Sequence, residues 1–578
     1  MRWILACAAT GGWLGMTVLS PVDAQVVERH APAPPVASEP VLPAPAAPVV
    51  SEDEHPLGAN LQAIVLLGPA DPVTGETRRG VVISSGVRRI DPAEAWRRLS
   101  GYIGQPISKA LISRIEASVV TAWRRKGFPF VAVSTPEQEI SQGVLQIRVV
   151  EFKLGKLNIA GVSRRAAARI AGDIRLAPGE AINSPRLSQD LDWLGRYPYR
   201  TVQPAFSPGA ALGETDLDLA VTSQRPWQAQ AGWSNAGAAP SDQNRYFVGA
   251  TVGGLVIPDS VLSVLITGSP DFWISHGDVL GNPHPVYESV AGRLAAPIAP
   301  RQDIELNVDA IETNQPVEAF IVREQTLEAT LAWRFALANV AALPGDGRLG
   351  VEVTSQRRMT FFGPTDIAGG GVNIYQVFGG WSDSWVDRLG HASLDVAIHG
   401  APGDLDRLGG DANLAAFTSG RVTSAAYVYL DLNYQRVTPI ARGFSLSTQL
   451  TGQYAPGPLP DSDQIAPGGQ DAARGYYLEA GAFDDALILR DELRAPIVTV
   501  IRAGPLATQI GPFAFVDFGY GRNNSTRQGL DVASIGLGAD AQVSRRLAAT
   551  LSVSYPLTSA PFTPAGDWRL EASVTLSY

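Results

Sequence analysis

Cysteine is nearly absent: Cys7 is the only one in 578 residues. It lies in an N-terminal stretch where Met1-Arg2 precedes an apolar or small run, Trp3 to Leu19, and Val22-Asp23-Ala24 ends in small residues. That order reads as a secretory signal peptide over residues 1–24, with cleavage expected after Ala24. The exported chain would then hold no thiol, which excludes disulfides, thiolate nucleophiles and cysteine-bound metal. Charge is scarce as well, at 18% against about 25% in an average soluble chain. Lys and Arg total 46 against 56 Asp and Glu, a formal charge of −10, so the broad basic face that grips nucleic acid is excluded. Beyond the N-terminus no run stays apolar and uncharged for the ~18 residues that a spanning helix requires.

Catalytic signals are missing too. Of the six histidines, His30 and His55 fall in a Pro-rich tract, His276 and His284 in one connection, and His391 and His399 on one strand. His276, Asp278 and His284 are interrupted by Gly277, Gly281 and Pro283, with Pro285 following, and this spacing presents no tetrahedral ligand face. There is no GxxxxGK phosphate loop, and Ser, His and Asp are too scattered for a triad. No enzyme activity, cofactor or metal is expected.

What is plentiful is glycine, 58 residues, and proline, 43. Residues 25–55 read as a linker: Ala31 to Pro48 is almost entirely Ala, Pro and Val, which favours extended polyproline geometry with little to pack. Residues 56–226 read as two mixed α/β modules, 56–151 and 152–226. In the first, strands are expected at Leu61 to Leu67 and Gly80 to Ile90. A helix capped by Asp91 and opened by Pro92 runs to Leu99, and a longer one is capped by Ser108 with Leu111, Ile115, Val119 and Ala122 in register. Strands Phe130 to Ser134 and Val144 to Val150 follow. The second module repeats the order: strand Lys153 to Ala160, helix Ser163 to Gly172, a helix opened by Asn183-Ser184-Pro185, then strands Arg200 to Phe206 and Thr215 to Val221.

From residue 227 to 578 period-two alternation is the rule. Trp568, Leu570, Ala572, Val574, Leu576 and Tyr578 share one face, and Arg569, Glu571, Ser573, Thr575 and Ser577 the other. Sixteen strands are expected, starting near residues 227, 244, 260, 286, 302, 324, 347, 371, 388, 422, 443, 485, 510, 532, 546 and 568. At about 22 residues per strand with its connection, this suits membrane-crossing strands of ~9–11 residues. An even number closes with every backbone group paired, as hydrocarbon demands. The expected fold class is α+β modules followed by an all-β, 16-stranded transmembrane barrel.

Tyr102-Ile103-Gly104-Gln105-Pro106-Ile107-Ser108, Arg124-Arg125-Lys126-Gly127-Phe128-Pro129, Pro136-Glu137-Gln138 and Gly143 to Glu151 resemble a polypeptide-transport-associated (POTRA) domain. Asp190-Leu191-Asp192-Trp193-Leu194, Pro208-Gly209 and Thr215-Asp216-Leu217 fit a second one. Trp233-Ser234-Asn235-Ala236-Gly237 stands where an Asn-x-Gly marks the first barrel strand. Together these resemble the two-partner secretion transporters that export haemolysins and filamentous-haemagglutinin-like adhesins. The connection 457–484 carries Ala473-Arg474-Gly475-Tyr476, similar to that family's Val/Ile-Arg-Gly-Phe/Tyr loop tip, with Ala473 departing from the β-branched residue. Phe515-Val516-Asp517-Phe518-Gly519 resembles the partner motif. Alternation places Asp517 on the lumen face, and Arg490, Glu492 and Arg494 share an inward face of the twelfth strand.

The resemblance implies a latch of Arg474 on Asp517, with Gly475 and Gly519 allowing close approach and Tyr476 beside them. It also implies an outer-membrane pore with periplasmic POTRA modules, moving a large unfolded exoprotein captured by its N-terminal secretion domain. Further partners implied are outer-membrane lipid and, during biogenesis, periplasmic chaperones and the barrel assembly machinery. Many members carry a pore-plugging helix ahead of the linker. Here only Gln25 to His30 precedes the Pro-rich tract, too short for a stable helix, which leaves the folded-in loop as the main expected barrier. A barrel-insertion factor of the same superfamily is the alternative reading, followed by a passive porin or receptor.

Overall fold

The first strand, β1 (Ala63–Leu67), is apolar on both faces because it lies inside a sheet. It pairs in parallel with β2 (Gly80–Ile83), and on its other side with β4 (Val144–Glu151). Helix α1 (Pro92–Leu99) begins where the Glu94 amide donates to Asp91, a bond that holds the Asp91 carboxyl below the usual carboxylate range. Helix α2 (Lys109–Arg125) is capped by Ser108 and buries Leu111, Ile115, Val119 and Trp123. Lys126, just past α2, pairs with Glu94 at 2.6 Å and ties the two helices together. Antiparallel β3 (Val131–Ser134) completes the order β2-β1-β4-β3. The structure described here, a computed structural model, covers residues 28, 42, 50–75, 78–211, 213–273, 284–317, 319–341, 343–502 and 507–578. The signal peptide, most of the Pro-rich tract, His276 and Asp278 therefore lie outside the described residues.

Two boundaries differ from the sequence reading. The strand expected over Gly80 to Ile90 stops at Ile83. Ser84 bonds Asp71, and the chain turns back as the Val87 amide donates to the Ser84 carbonyl. Gly86 lies so close to Asp71 that a Cβ there would stand 2.6 Å from its carboxylate oxygen. The last residues given to the linker belong to the module: Asp53 pairs with Lys109, Glu54 with Arg114, and the Ala110 amide donates to the Asp53 carbonyl.

The second module contains β5 (Lys153–Ala160), α3 (Arg164–Asp173), α4 (Ser184–Gly195), β6 (Arg200–Pro208) and β7 (Glu214–Ser223), with sheet order β5-β7-β6. Buried Asp190 pairs with Arg175 at 2.6 Å and accepts the Arg175 amide, fixing α4 against the loop that follows α3. The modules abut directly. Phe130 packs on Phe206 with ring centroids 4.2 Å apart, and the Ser184 amide donates to the Gly127 carbonyl. Residues 36–224 form one compact unit.

The other unit is a closed antiparallel barrel. Its strands are β8 (Trp227–Ser234), β9 (Arg245–Gly253), β10 (Val261–Gly268), β11 (Tyr287–Ala299), β12 (Gln302–Val317), β13 (Phe320–Ala336), β14 (Asp346–Phe362) and β15 (Thr365–Asp387). They continue as β16 (Gly390–Pro402), β17 (Ala426–Pro439), β18 (Ser445–Tyr454), β19 (Asp485–Arg494), β20 (Val498–Ile501), β21 (Thr508–Arg522), β22 (Gly529–Val543), β23 (Leu547–Pro556) and β24 (Arg569–Ser577). β19 and β20 both pair with β21 and are two halves of one strand interrupted at Pro496, so the wall has 16 strands. β24 pairs with β8 to close it. Asn235 extends this seam: its amide nitrogen donates to the Leu570 carbonyl at 2.8 Å and its oxygen accepts the Ala572 amide at 2.7 Å. A side chain here takes the place of a ladder residue.

The outer face is apolar. On β21, Val516, Phe518 and Tyr520 are exposed while Phe513, Phe515 and Asp517 are buried, the alternation of a wall with lipid outside. Aromatics crowd both rims: Trp227, Trp333 and Tyr578 at the end where β8 begins, and Phe362, Tyr454 and Trp568 at the other.

Leu537 stands near the middle of β22 and is 68% exposed on this outer face. Leu537→Arg should lower barrel stability by about 2–4 kcal/mol, the cost of a cation near the bilayer midplane. The check is urea unfolding in lipid vesicles. A loss within the ~0.5 kcal/mol of an ordinary surface substitution would show that this face does not meet hydrocarbon.

Candidate functional site: a loop held inside the barrel

Between β18 and β19 the chain makes a connection, residues 455–484, far longer than a strand turn requires. It contains almost no regular structure, yet most of it is buried: Leu459, Ile465, Ala466, Ala472, Ala473 and Tyr476 are each at most 2% exposed. Backbone so enclosed must find partners for its polar groups, and it finds them on the barrel wall.

Arg474 is the centre. Its Nε donates to Asp517 Oδ2 at 2.7 Å and its Nη2 to Oδ1 at 2.8 Å, a bidentate fork, while its backbone amide also donates to Oδ2 at 3.1 Å. Nη1 donates to Glu492 Oε1 at 2.6 Å. The guanidinium lies over the Phe515 ring, 3.6 Å from its centroid, so one face is packed while all three of its nitrogens donate to carboxylates. Asp517 is completely buried and Arg474 is 4% exposed. At such a site a single lost partner leaves a poorly solvated charge, at a cost of roughly 3–5 kcal/mol.

The neighbours make room for this approach. Gly475 has φ +90°, and a Cβ there would lie 2.9 Å from the Ser554 Cβ. On the wall, a Cβ at Gly519 would lie 2.6 Å from the Pro467 carbonyl oxygen. Both positions thus demand glycine, the first for conformation and space, the second for space alone. Buried Tyr476 reaches across to β22 and the connection beyond β23: its hydroxyl is 2.6 Å from the Ala533 carbonyl and 2.9 Å from that of Thr558. Ala473 packs with Tyr476 and Val532.

The twelfth-strand charges divide. Glu492 bridges Arg474 and Arg494, and Arg494 continues to Asp540 on β22 at 2.8 Å. Arg490 stands near Glu492, and its Nη1 donates to the Asp471 carbonyl at 3.2 Å. His284 bonds Glu312, and among the described residues no cluster of His, Cys, Asp and Glu is arranged to hold a metal.

Two further clamps carry no sequence motif. Fully buried Asp484, at the loop's end, accepts the Leu459 amide, the Gln464 side chain and the Asn524 amide, each at 2.7–2.8 Å. It thereby joins both ends of the loop to the β21–β22 connection. Glu571 on β24 accepts the Gly475 amide at 3.3 Å, and Arg569 donates to the Tyr476 carbonyl at 2.8 Å. Only the alternation of β24, which turns Arg569 and Glu571 inward together, signals the second clamp. Nothing local signals the first.

Comparison with known proteins agrees with this architecture. Residues 385–541 match the family described as haemolysin secretion/activation protein ShlB/FhaC/HecB, and residues 79–151 match the ShlB-type POTRA domain. The outer membrane transporter CdiB-2 of Burkholderia pseudomallei is 26% identical over 145 residues, 25% of this chain and 24% of that protein. The outer membrane transporter CdiB of Escherichia coli is 23% identical over 158 residues, covering 27% and 26%. These matched stretches span about a quarter of either relative. The solved structure of CdiB from Escherichia coli superposes with a TM-score of 0.66 at 15% identity, covering 94% of both chains. That of CdiB from Acinetobacter baumannii gives 0.58 at 16% identity, covering 94% of this chain and 95% of that one. These structures share the fold. With a match to the ShlB-type POTRA domain ahead of a closed 16-stranded barrel, part of which matches the haemolysin secretion/activation family, the chain is similar to the two-partner secretion transporters of the bacterial outer membrane.

Proposed function

We propose that this protein moves one large, unfolded exoprotein from the periplasm to the cell surface, with the POTRA modules as the receptor for the exoprotein's N-terminal secretion domain. The observation that carries the reading is the loop of residues 455–484, enclosed by a lipid-facing barrel and held by buried charges centred on the Arg474–Asp517 pair. A structural strut would not need such a chain inside it. A conduit does, because a barrel of this size is leaky unless filled and must be clearable when cargo passes. The sheet edges suit capture of an extended segment: β2 and β3 are the outer strands of the first sheet, β5 and β6 of the second. Strand addition at such an edge supplies main-chain bonds whatever the client's exact sequence, and side-chain pockets add selectivity. No nucleotide is available in the periplasm, so folding of the client at the surface supplies the bias for each forward step. The exported protein is of the haemolysin or adhesin type in this reading.

Arg474, Gly475, Tyr476, Asp517 and Gly519 act in this proposal as the latch of the loop. Glu492 and Arg494 extend it, and Arg490 contributes a separate lumen charge. Their role is conformational: the loop stays on the wall until the client enters.

Deleting residues 56–151 should abolish appearance of the exoprotein in culture medium while the barrel remains in the outer membrane. Continued export at the normal rate would remove the capture role of the first module. In a strain lacking the whole protein, one large secreted species should disappear with other barrels unchanged; a general loss of outer-membrane barrels would favour the insertion reading.

Arg474→Ala and Asp517→Ala should each lower export strongly, and the double substitution should be no worse than either alone, because the two groups act as one unit. The coupling in such a cycle is typically ~0.5–3 kcal/mol. Arg474→Lys should rescue poorly, since an ammonium cannot make the fork. Barrel abundance is measured beside export. Fully additive defects at equal abundance would show that the pair does not act as a latch.

A further inference from the structure

Arg245, the first residue of β9, is with Arg474 one of two buried arginines among the described residues, and it stands in the wall at 0% exposure. It stands at the end of the barrel where the β8–β9 and β10–β11 connections lie, opposite to the end where β8 begins at Trp227. The β8–β9 hairpin builds a socket around it. Nη1 donates to the carbonyls of Ser241, Asp242 and Asn244 at 3.0, 2.6 and 3.1 Å, and Nη2 to Ser241 Oγ at 2.8 Å. The cation lies 4.0 Å from the centroid of the Tyr287 ring. Gly237 is obligatory here: a Cβ would stand 2.6 Å from Arg245 Cζ. This accounts for the glycine of the Asn235-x-Gly237 motif.

Those bonds use one side of the guanidinium and leave Nε and one Nη2 hydrogen pointing away. Both meet a carboxylate from a distant part of the chain. Nε donates to Glu28 Oε1 at 2.7 Å and Nη2 to Oε2 at 2.6 Å. The Ala238 amide donates to Oε2 at 3.1 Å, and the Tyr287 hydroxyl donates to the Glu28 backbone carbonyl at 2.7 Å. Glu28 is the one residue of Gln25 to His30 among those described, and it is held by side chain and main chain together. The sequence reading, which gave this short segment no structural role, missed the contact.

We propose that Arg245, Tyr287 and the Ala238 amide form a peptide-carboxylate site at the extracellular end of the lumen. Its ligand is an acidic residue within an extended polypeptide; Glu28 fills it at rest, and an acidic residue of the exported chain replaces Glu28 in transit. The last clause rests on the transport reading above; the site itself does not. Every recognition group belongs to the barrel, so the socket persists when Glu28 leaves. A buried guanidinium left without its anion is poorly compensated, so Glu28 is released by exchange with another carboxylate more readily than by departure alone. Two donors to the carboxylate from Arg245, a third from Ala238 and a fourth to the main-chain carbonyl select an acidic residue in a peptide over a free small anion.

The test uses the purified full chain in detergent and a fluorescent peptide copying residues 25–35. Wild-type protein should bind it weakly, because Glu28 competes in cis. Glu28→Gln, a change outside every strand, should bind it at least about tenfold more tightly, and a peptide with Gln in place of Glu should lose about that factor. Arg245→Met should abolish binding. Heat-modifiable migration shows whether that variant is folded, and Tyr287→Phe, which keeps the ring on Arg245 but removes the hydroxyl that donates to the Glu28 carbonyl, supplies a milder second variant expected to weaken binding severalfold. Equal binding of the Glu and Gln peptides to the Glu28→Gln protein, or no binding at all, would overturn the site. Export of the exoprotein is measured separately. Peptide binding without any export removes the transport reading and leaves the site, whereas export without peptide discrimination removes the site and leaves transport.

Discussion

A sheet immersed in hydrocarbon cannot leave an edge, and this requirement governs the rest of the molecule. The end strands β8 and β24 have a partner on both sides only because β24 returns to β8, where the ladder is reinforced by the Asn235 side chain on Leu570 and Ala572. Closure of a 16-stranded wall then creates an interior too wide to be packed by its own side chains. The polar inward residues, the long enclosed loop and the buried ion pairs all follow from that interior. A soluble sandwich built from the same alternation would have filled its core with leucine and valine. Here the inward face instead carries Arg293, Glu305, Arg334, Asp346, Arg348 and Asp395 in linked pairs.

Burying charge constrains what fills such a lumen. Arg474 and Arg245 are solved alike: a bidentate carboxylate on the edge, an aromatic ring against the face, and a nearby glycine that lets the backbone come close. They differ in the origin of the carboxylate. For Arg474 the cation is on the loop and the acid on the wall; for Arg245 the cation is on the wall and the acid is Glu28, far away in sequence. Asp484 inverts the scheme again, an acid satisfied by backbone amides and a side-chain amide, with Arg421 at 3.6 Å. In each case the interaction specifies a position more than it contributes net stability, since a buried pair must first offset its own desolvation.

Much of the wall was legible because strand periodicity is local. Strand starts expected near 227, 302 and 485 fall at those residues, and most others within two or three. The larger errors occur where a strand overruns the membrane. β13 begins at Phe320 and β15 at Thr365, earlier than the apolar alternation announces. There the hairpin stays paired beyond the lipid, and Thr365 to Gly371 need no apolar face. The opposite error at β17 arises because Val422 and Ala425 pack with Leu414 beneath the short helix Asp411–Phe417, so apolar residues there signal a loop core. Of the loop site, the Arg474 and Asp517 motifs and the inward facing of Asp517 were readable, since alternation alone sets the face. Asp484, Glu571 and the second bond of Arg474 to Glu492 were not.

What the sequence by itself determined is therefore everything that depends on neighbours within a few residues: strand periods, helix caps at Asp91, Ser108 and Asn183, the two-module order and the side of the wall each residue faces. Only the tertiary structure decided which charges meet. Glu28 and Arg245 are 217 positions apart, and Gly475 and Glu571 are separated by 96. No periodicity links such residues. They are brought together by closure of the barrel, which gathers strands remote in sequence around one narrow space, and by the need of each buried charge for a partner within that space.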